Sequence, residues 1–150
     1  NYSASQFHIF YLIAEERPQE FIALHVSKAE LYRSIEERGK IAVYGIYFDT
    51  GKSAIKPESA ETLKNISDFL NEKISIKLRI VGHTDNTGNF ESNIKLSQSR
   101  ANAVVKELTT KYKVAIERLS AHGVGSLAPI ETNSTETGKA RNRRVELVQQ

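Results

Sequence analysis

The stretch VGHTDNTGNFESNIKLSQSRA, Val81 to Ala101, joins two patterns of different period, and its reading decides the fold. Upstream, ISIKLRIVG places Ile74, Ile76, Leu78 and Ile80 on one face and Ser75, Lys77 and Arg79 on the other, which predicts a strand with one wet face. Downstream, Ala101, Val104, Val105, Leu108 and Tyr112 recur on one side of a long helix. The polar residues Gly82 to Asn89 form the loop between them. Strand, polar loop and helix therefore follow one another directly.

Followed back toward the helix start, the apolar stripe becomes Arg100, Ser97 and Asn93, because residues three, four and seven apart share a face. A guanidinium turned toward a sheet needs a carboxylate or an anionic ligand, and Asp85, just past the strand, is the nearest candidate in the chain. Open α/β sheets place ligands outside the carboxyl ends of their strands. The pattern fits a pocket for a zwitterion: ammonium on Asp85, carboxylate on Arg100, Asn93 donating and accepting between them. The free N–H groups of the helix start would add to the carboxylate site. An internal Asp85–Arg100 ion pair, with Asn93 at the helix start, satisfies the same pattern without a ligand.

Working outward, IAVYGIYF, Ile41 to Phe48, is a continuous apolar run that predicts a strand covered on both faces. DTGK ends it. Pro57 opens a helix to about Asn71 through Leu63, Ile66 and Leu70. RLSAHGVG and RRVELVQ alternate as strands around a loop containing Pro129 and Gly138. Strand, helix, strand, helix, strand, strand predicts an α/β fold, α+β by some schemes, with helices packed on a mixed sheet, parallel pairing inside each βαβ unit and the final two strands free to run antiparallel. Ahead of this, FHIFYLIAEERPQEFIALHVS reads as a hairpin turning at Glu16, Arg17 and Pro18. Next comes a helix with a capping box at Ser27 and Glu30, an apolar stripe at Leu31 and Ile35, and a stop at Gly39.

A length of 150 residues suits one compact domain with a short appended piece, and 39% hydrophobic and 26% charged residues are those of a folded, water-soluble chain. Cysteine is lacking, so thiolate chemistry, disulfides and cysteine metal sites are excluded. No apolar run approaches the roughly 20 residues of a membrane span, so a mature or trimmed segment is expected, with any membrane attachment upstream. The net charge of +3 mildly favours an anionic partner. Only Arg141 to Arg144 is dense, and with no helix-turn-helix cue, zinc spacing or stacking motif beside it, nucleic acid is not expected as a partner.

Five blocks in order carry a more specific signal: YFDTGKSAIKPES (47–59), GHTDNTG (82–88), SNIKLSQSRA (92–101), LSAHGVGSLAPI (119–130) and GKARNRRVEL (138–147). Over residues 41–150 the chain resembles the OmpA-like C-terminal domain family, periplasmic peptidoglycan-binding modules. The resemblance implies a βαβαββ sandwich, no catalysis, no cofactor and no metal. It also implies noncovalent anchoring of the outer membrane or an envelope protein to the cell wall, in the periplasm of a Gram-negative bacterium. On it, Asp85 and Arg100 grip the diaminopimelate residue of the stem peptide, and Asn93, Thr87, Asp49 and Arg143 are the further candidate binding residues. Residues 1–40 fall outside the module. They are read as the tail of an upstream domain or a subunit-contact extension, a homodimer among the arrangements it allows.

His83 has no second histidine at ligand spacing, since His8, His25 and His122 sit in separate elements, so a structural hydrogen-bonding role is expected rather than a metal site. A triad drawn on Ser97 or Ser99 with His83 and Asp85 lacks the nucleophile-elbow sequence of a hydrolase. Asp49 is read either as a turn initiator before Gly51 or as pocket rim. Arg143, apart from the resemblance, reads as a surface strand residue paired with an acid. A hydrolase and a protein–protein scaffold with an unused pocket are the rival functions.

Overall fold

The long helix forms as its stripe requires. In the computed structural model, which describes residues 25–150, helix α3 (Phe90–Thr110) is capped by Asn89, whose side chain accepts from Ser92 N–H, and buries Ala101, Val104, Val105 and Leu108. It lies on strands β2 (Leu78–His83) and β3 (Leu119–Gly125). Helix and sheet approach closely because Gly82 and Gly123 face its backbone. A Cβ on Gly82 would stand 2.3 Å from the Ser97 carbonyl oxygen and one on Gly123 2.2 Å from the Gln98 nitrogen.

Helix α1 (Lys28–Arg38) starts and stops where the capping signals place it. The Ser27 hydroxyl accepts from Glu30 N–H, and Gly39, at φ 71°, donates to the Ile35 carbonyl. Helix α2 (Ala60–Glu72) follows a single 3-10 turn at Pro57–Ser59. Leu31 and Ile35 of α1 share one core with Leu63, Ile66 and Leu70 of α2, with α3, and with Val43, Leu78, Ile80 and Leu147 of the sheet. The part of the N-terminal hairpin reading that covers residues 1–24 lies outside the described residues.

The sheet runs β1 (Lys40–Val43), β4 (Val145–Gln149), β2, β3. β2 and β3 pair in parallel across α3, as expected of a βαβ unit. β4 inserts antiparallel between β1 and β2, so it runs antiparallel to β3 without pairing with it. The fold is a mixed sheet with helices packed on it.

Two strands are shorter than their sequence patterns. β1 stops at Val43 rather than Phe48 because its one neighbour, β4, begins at Val145 directly opposite, leaving residues 44–48 without a ladder partner. Phe48 instead bridges Ile55 across a small turn. β1 is also an edge strand and only partly covered. β2 starts at Leu78 rather than Ile74 because both its neighbours reach only as far as Leu78, and Ile74 is 80% exposed.

The loop expected before β4 holds a helix, α4 (Glu136–Asn142), capped by Thr135. Gly138, a poor helix former, lies inside it. The helix tolerates glycine there because any Cβ would meet the Thr132 carbonyl oxygen at 1.9 Å. One end of the sheet therefore gathers the loops after β1 and β2, the start of α3 and the α4–β4 junction, since Val145 stands opposite both Val43 and Gly82.

Candidate functional site

At that end of the sheet the chain after β2 is locked before it reaches its acid. The β2–β3 register shifts between Gly82 and His83, a bulge that re-aims the following residues. Thr84 N–H donates to the Gly125 carbonyl, and its hydroxyl donates to the Asp85 carbonyl. The Asp85 carboxylate then accepts from Thr87 N–H at 2.8 Å on one oxygen and from Arg143 Nη1 at 2.7 Å on the other. Asp85 is buried, and burial works against its charge; Arg143 and the contacts from Thr87 outweigh this and hold the carboxyl below the usual carboxylate range.

Asn93, also buried, shapes the same turn from the helix side. Its Nδ2 donates to the Thr87 carbonyl at 3.0 Å and lies 3.5 Å from the Asp85 carbonyl. Ser97 ties helix to sheet, donating to the Ile94 carbonyl and accepting from Gly125 N–H. Gln98 adds to this: its Oε1 accepts from Gly123 N–H and its Nε2 donates to the Ala121 carbonyl. The polar end of the α3 stripe is thus satisfied by sheet and loop backbone.

Arg100 is half-buried and points toward the loop after β1. Its Nε donates to the Lys52 carbonyl at 2.9 Å, its Nη2 to the Asp49 carbonyl at 3.3 Å, and its guanidinium carbon lies 4.9 Å from the centre of the Phe48 ring. No carboxylate among the described residues comes within ion-pair distance of it. Burial and the Arg143 charge lower its proton affinity while the Asp85 charge raises it, so both charges reach across the site to Arg100. It remains a cation.

The internal Asp85–Arg100 ion pair that the sequence pattern also allows is therefore not formed. Asp85 meets Arg143 from the β4 side, and Arg100 is held by carbonyls, which leaves the two groups of the α3 motif facing the same end of the sheet with different partners. Asp49 serves as a turn: its carbonyl accepts from Lys52 N–H as well as Arg100, while its largely exposed carboxylate sits 3.3 Å from Lys56 Nζ. Thr87 contributes its backbone amide to the carboxylate and is itself exposed.

The basic run spans the end of α4 and the junction to β4, and its members take different partners. Arg143 reaches Asp85, Arg141 pairs with Glu131, and Arg144 is buried, donating to Glu146, to the Asn142 carbonyl and to the Ala128 carbonyl. Asn142, fully buried, accepts from the N–H groups of Ile130 and Glu131 and donates to the Glu131 carbonyl and Asn133, fixing the loop that follows β3. Phe48, Arg144 and Asn142 were not read as site or support residues, and no local pattern marks them, since their partners lie in other elements.

His83 is buried, with Nε2 3.1 Å from Glu146 Oε2, although neither ring nitrogen finds a partner in hydrogen-bonding alignment. Ser97 bonds backbone, His83 faces Glu146 and Asp85 faces Arg143, so the serine triad is not assembled. Among the described residues there is no cluster of His, Cys, Asp and Glu that could hold a metal ion, and no helix is long and apolar enough to cross a membrane.

The chain is 39% identical to the probable lipoprotein YiaD of Escherichia coli K12 over 102 residues, 68% of this chain and 46% of that protein. It is 38% identical to the peptidoglycan-binding protein ArfA of Mycobacterium tuberculosis over 103 residues, 69% of this chain and 31% of that protein. The chain thus spans less than half the length of these relatives. The solved peptidoglycan-associated lipoprotein of Burkholderia pseudomallei superposes with a TM-score of 0.63 at 30% identity, covering 70% of this chain and 88% of that one. Residues 47–143 match the model of the OmpA family, which takes in the loop after β1, α3 and Arg143 together, and the chain belongs to that family.

Proposed function

We propose that this chain binds peptidoglycan noncovalently, through the diaminopimelate residue of the stem peptide, and so tethers an outer-membrane or other envelope component to the cell wall. Asp85 takes the ammonium of the amino-acid headgroup and Arg100 its carboxylate. Asn93 and Thr87 hold the turn that presents Asp85, Arg143 keeps that carboxylate ionised, and Asp49 supplies a carbonyl to Arg100 at the rim.

The observation that carries this reading is the presence, at one end of the sheet, of a buried, ionised carboxylate and of a half-buried guanidinium that meets no carboxylate among the described residues. A ligand carboxylate would supply the charge that two carbonyls and an aromatic face do not. The names borne by ArfA and by the Burkholderia lipoprotein support the same substrate. The engagement of the Ser97 hydroxyl with backbone supports binding rather than serine-based hydrolysis.

Co-sedimentation with purified peptidoglycan tests it. Asp85→Ala and Arg100→Ala are each expected to abolish retention while far-UV circular dichroism stays that of the parent, and retention should weaken with added salt. Undiminished retention of both variants contradicts the proposal, as does release of soluble muropeptides beyond one per protein.

A further inference from the structure

Asp85 lies in the loop just past β2 and Arg143 at the junction of α4 and β4, and each stands within two residues of a buried side chain that has a different partner. His83 ends β2 two residues before Asp85, and Arg144 follows Arg143 directly ahead of β4. Both residues are 6% exposed, and both side chains meet the same carboxylate. His83 Nε2 lies 3.1 Å from Glu146 Oε2, and Arg144 Nε donates to Glu146 Oε1 at 3.1 Å. The backbone closes the arrangement, with His83 N–H donating to the Arg144 carbonyl at 2.9 Å.

We infer that Glu146 is a positioning residue for the ligand site: by bridging His83 and Arg144 it sets the register in which Asp85 and Arg143 meet. Arg143 and Arg144 are adjacent at the junction between α4 and β4, so an Arg144 held on Glu146 fixes the backbone from which Arg143 reaches Asp85. The bulge at Gly82 and His83 gives the end of β2 an irregular step, and the contact of His83 with Glu146 fixes where that step leads. The carboxylate is suited to the task because it stays charged: His83 and Arg144 hold it down to about 2 against the effect of burial. Arg144 has a further anchor in the Ala128 carbonyl, so the bridge also secures the start of the loop after β3.

The inference rests on the proposed function for its consequence in binding, but its geometry can be read without ligand. In Glu146→Gln, which keeps the volume, the Asp85 carboxyl followed by carbon-13 NMR is expected to titrate at higher pH than in the parent, as Arg143 loses its fixed approach. Affinity for diaminopimelate should fall about tenfold, the size of effect that supporting contacts behind a binding residue exert. A pair of variants keeps the test open if Glu146→Gln does not fold. In His83→Gln, which keeps a polar nitrogen facing Glu146, Asp85 should titrate as in the parent, whereas His83→Phe keeps a ring without any nitrogen and should shift Asp85 upward. An Asp85 titration unmoved in a folded Glu146→Gln, or equal in His83→Gln and His83→Phe, overturns the inference. A shifted titration with unchanged affinity overturns its link to binding. If the parent itself binds no diaminopimelate, the functional reading falls, and the titration alone decides the positioning role.

Discussion

Replacing Gly82 by alanine puts the packing of α3 to the test. The added Cβ would stand 2.3 Å from the Ser97 carbonyl oxygen and 3.0 Å from its carbon, where ordinary contact begins at 3.4 Å. The obstacle is helix backbone, so no rotamer relieves it, and α3 must retreat by about 1 Å. A gap of that order forfeits about a quarter to a half of the dispersion energy of each contact it opens. Ala101, Val104 and Leu108, all fully buried, stand along that contact. Overpacking costs about 1–3 kcal/mol where side chains can yield, so we expect ~3 kcal/mol or more, a large share of the ~5–15 kcal/mol that holds a typical domain. The midpoint of thermal unfolding should fall by roughly 6–12 °C. Urea unfolding measures the loss, with the slope m unchanged if the native state stays compact. Gly39→Ala is the comparison: its Cβ meets nothing within 4 Å, and the penalty of about 1–2 kcal/mol comes from φ 71° alone. A Gly82→Ala loss no larger than that of Gly39→Ala would refute the argument from close packing.

Acid should weaken the fold in a defined window. Glu146 has a folded value of about 2 against an ordinary 4.5, and Asp85 is lowered likewise, so their stabilisation is complete above the ordinary carboxylate values and is lost as pH falls toward 2. The urea midpoint should drop between pH 4.5 and 2, and drop less steeply in Glu146→Gln; a flat profile in the parent contradicts the assignment. Leu31→Ala should destabilise by about 2–5 kcal/mol in thermal or urea unfolding, since Leu31 is fully buried in the common core, and a loss under about 1 kcal/mol would show that α1 is dispensable to it.

Periodicity made the long helix, its apolar stripe and the polar turn of that stripe legible, and capping chemistry set both ends of α1. Strand ends were less so. IAVYGIYF and ISIKLRIVG both look like longer strands than they are, because a ladder ends where its neighbour ends, and where β4 begins is set by α4 rather than by residues near β1 or β2. Helix α4 was hidden by Gly138, whose place depends on the Thr132 carbonyl six residues earlier. At the site, the residues of the α3 motif were identifiable, but their pairing was not. Arg143, 58 residues from Asp85, takes the carboxylate that proximity in the chain assigned to Arg100. The bridge of His83 and Arg144 through Glu146 is legible only once β2 and β4 are adjacent.

Calorimetric titration of the chain with a stem tripeptide whose third residue is diaminopimelate, alongside the same tripeptide with lysine there, whose side chain ends in an ammonium without a carboxylate, tests most directly whether Asp85 and Arg100 form a site for an amino-acid headgroup carried on a side chain. Saturable binding of the diaminopimelate tripeptide that the lysine tripeptide does not reproduce, lost in Asp85→Ala and in Arg100→Ala, is the result expected. Equal binding of both compounds, or diaminopimelate binding that survives both substitutions, would contradict it.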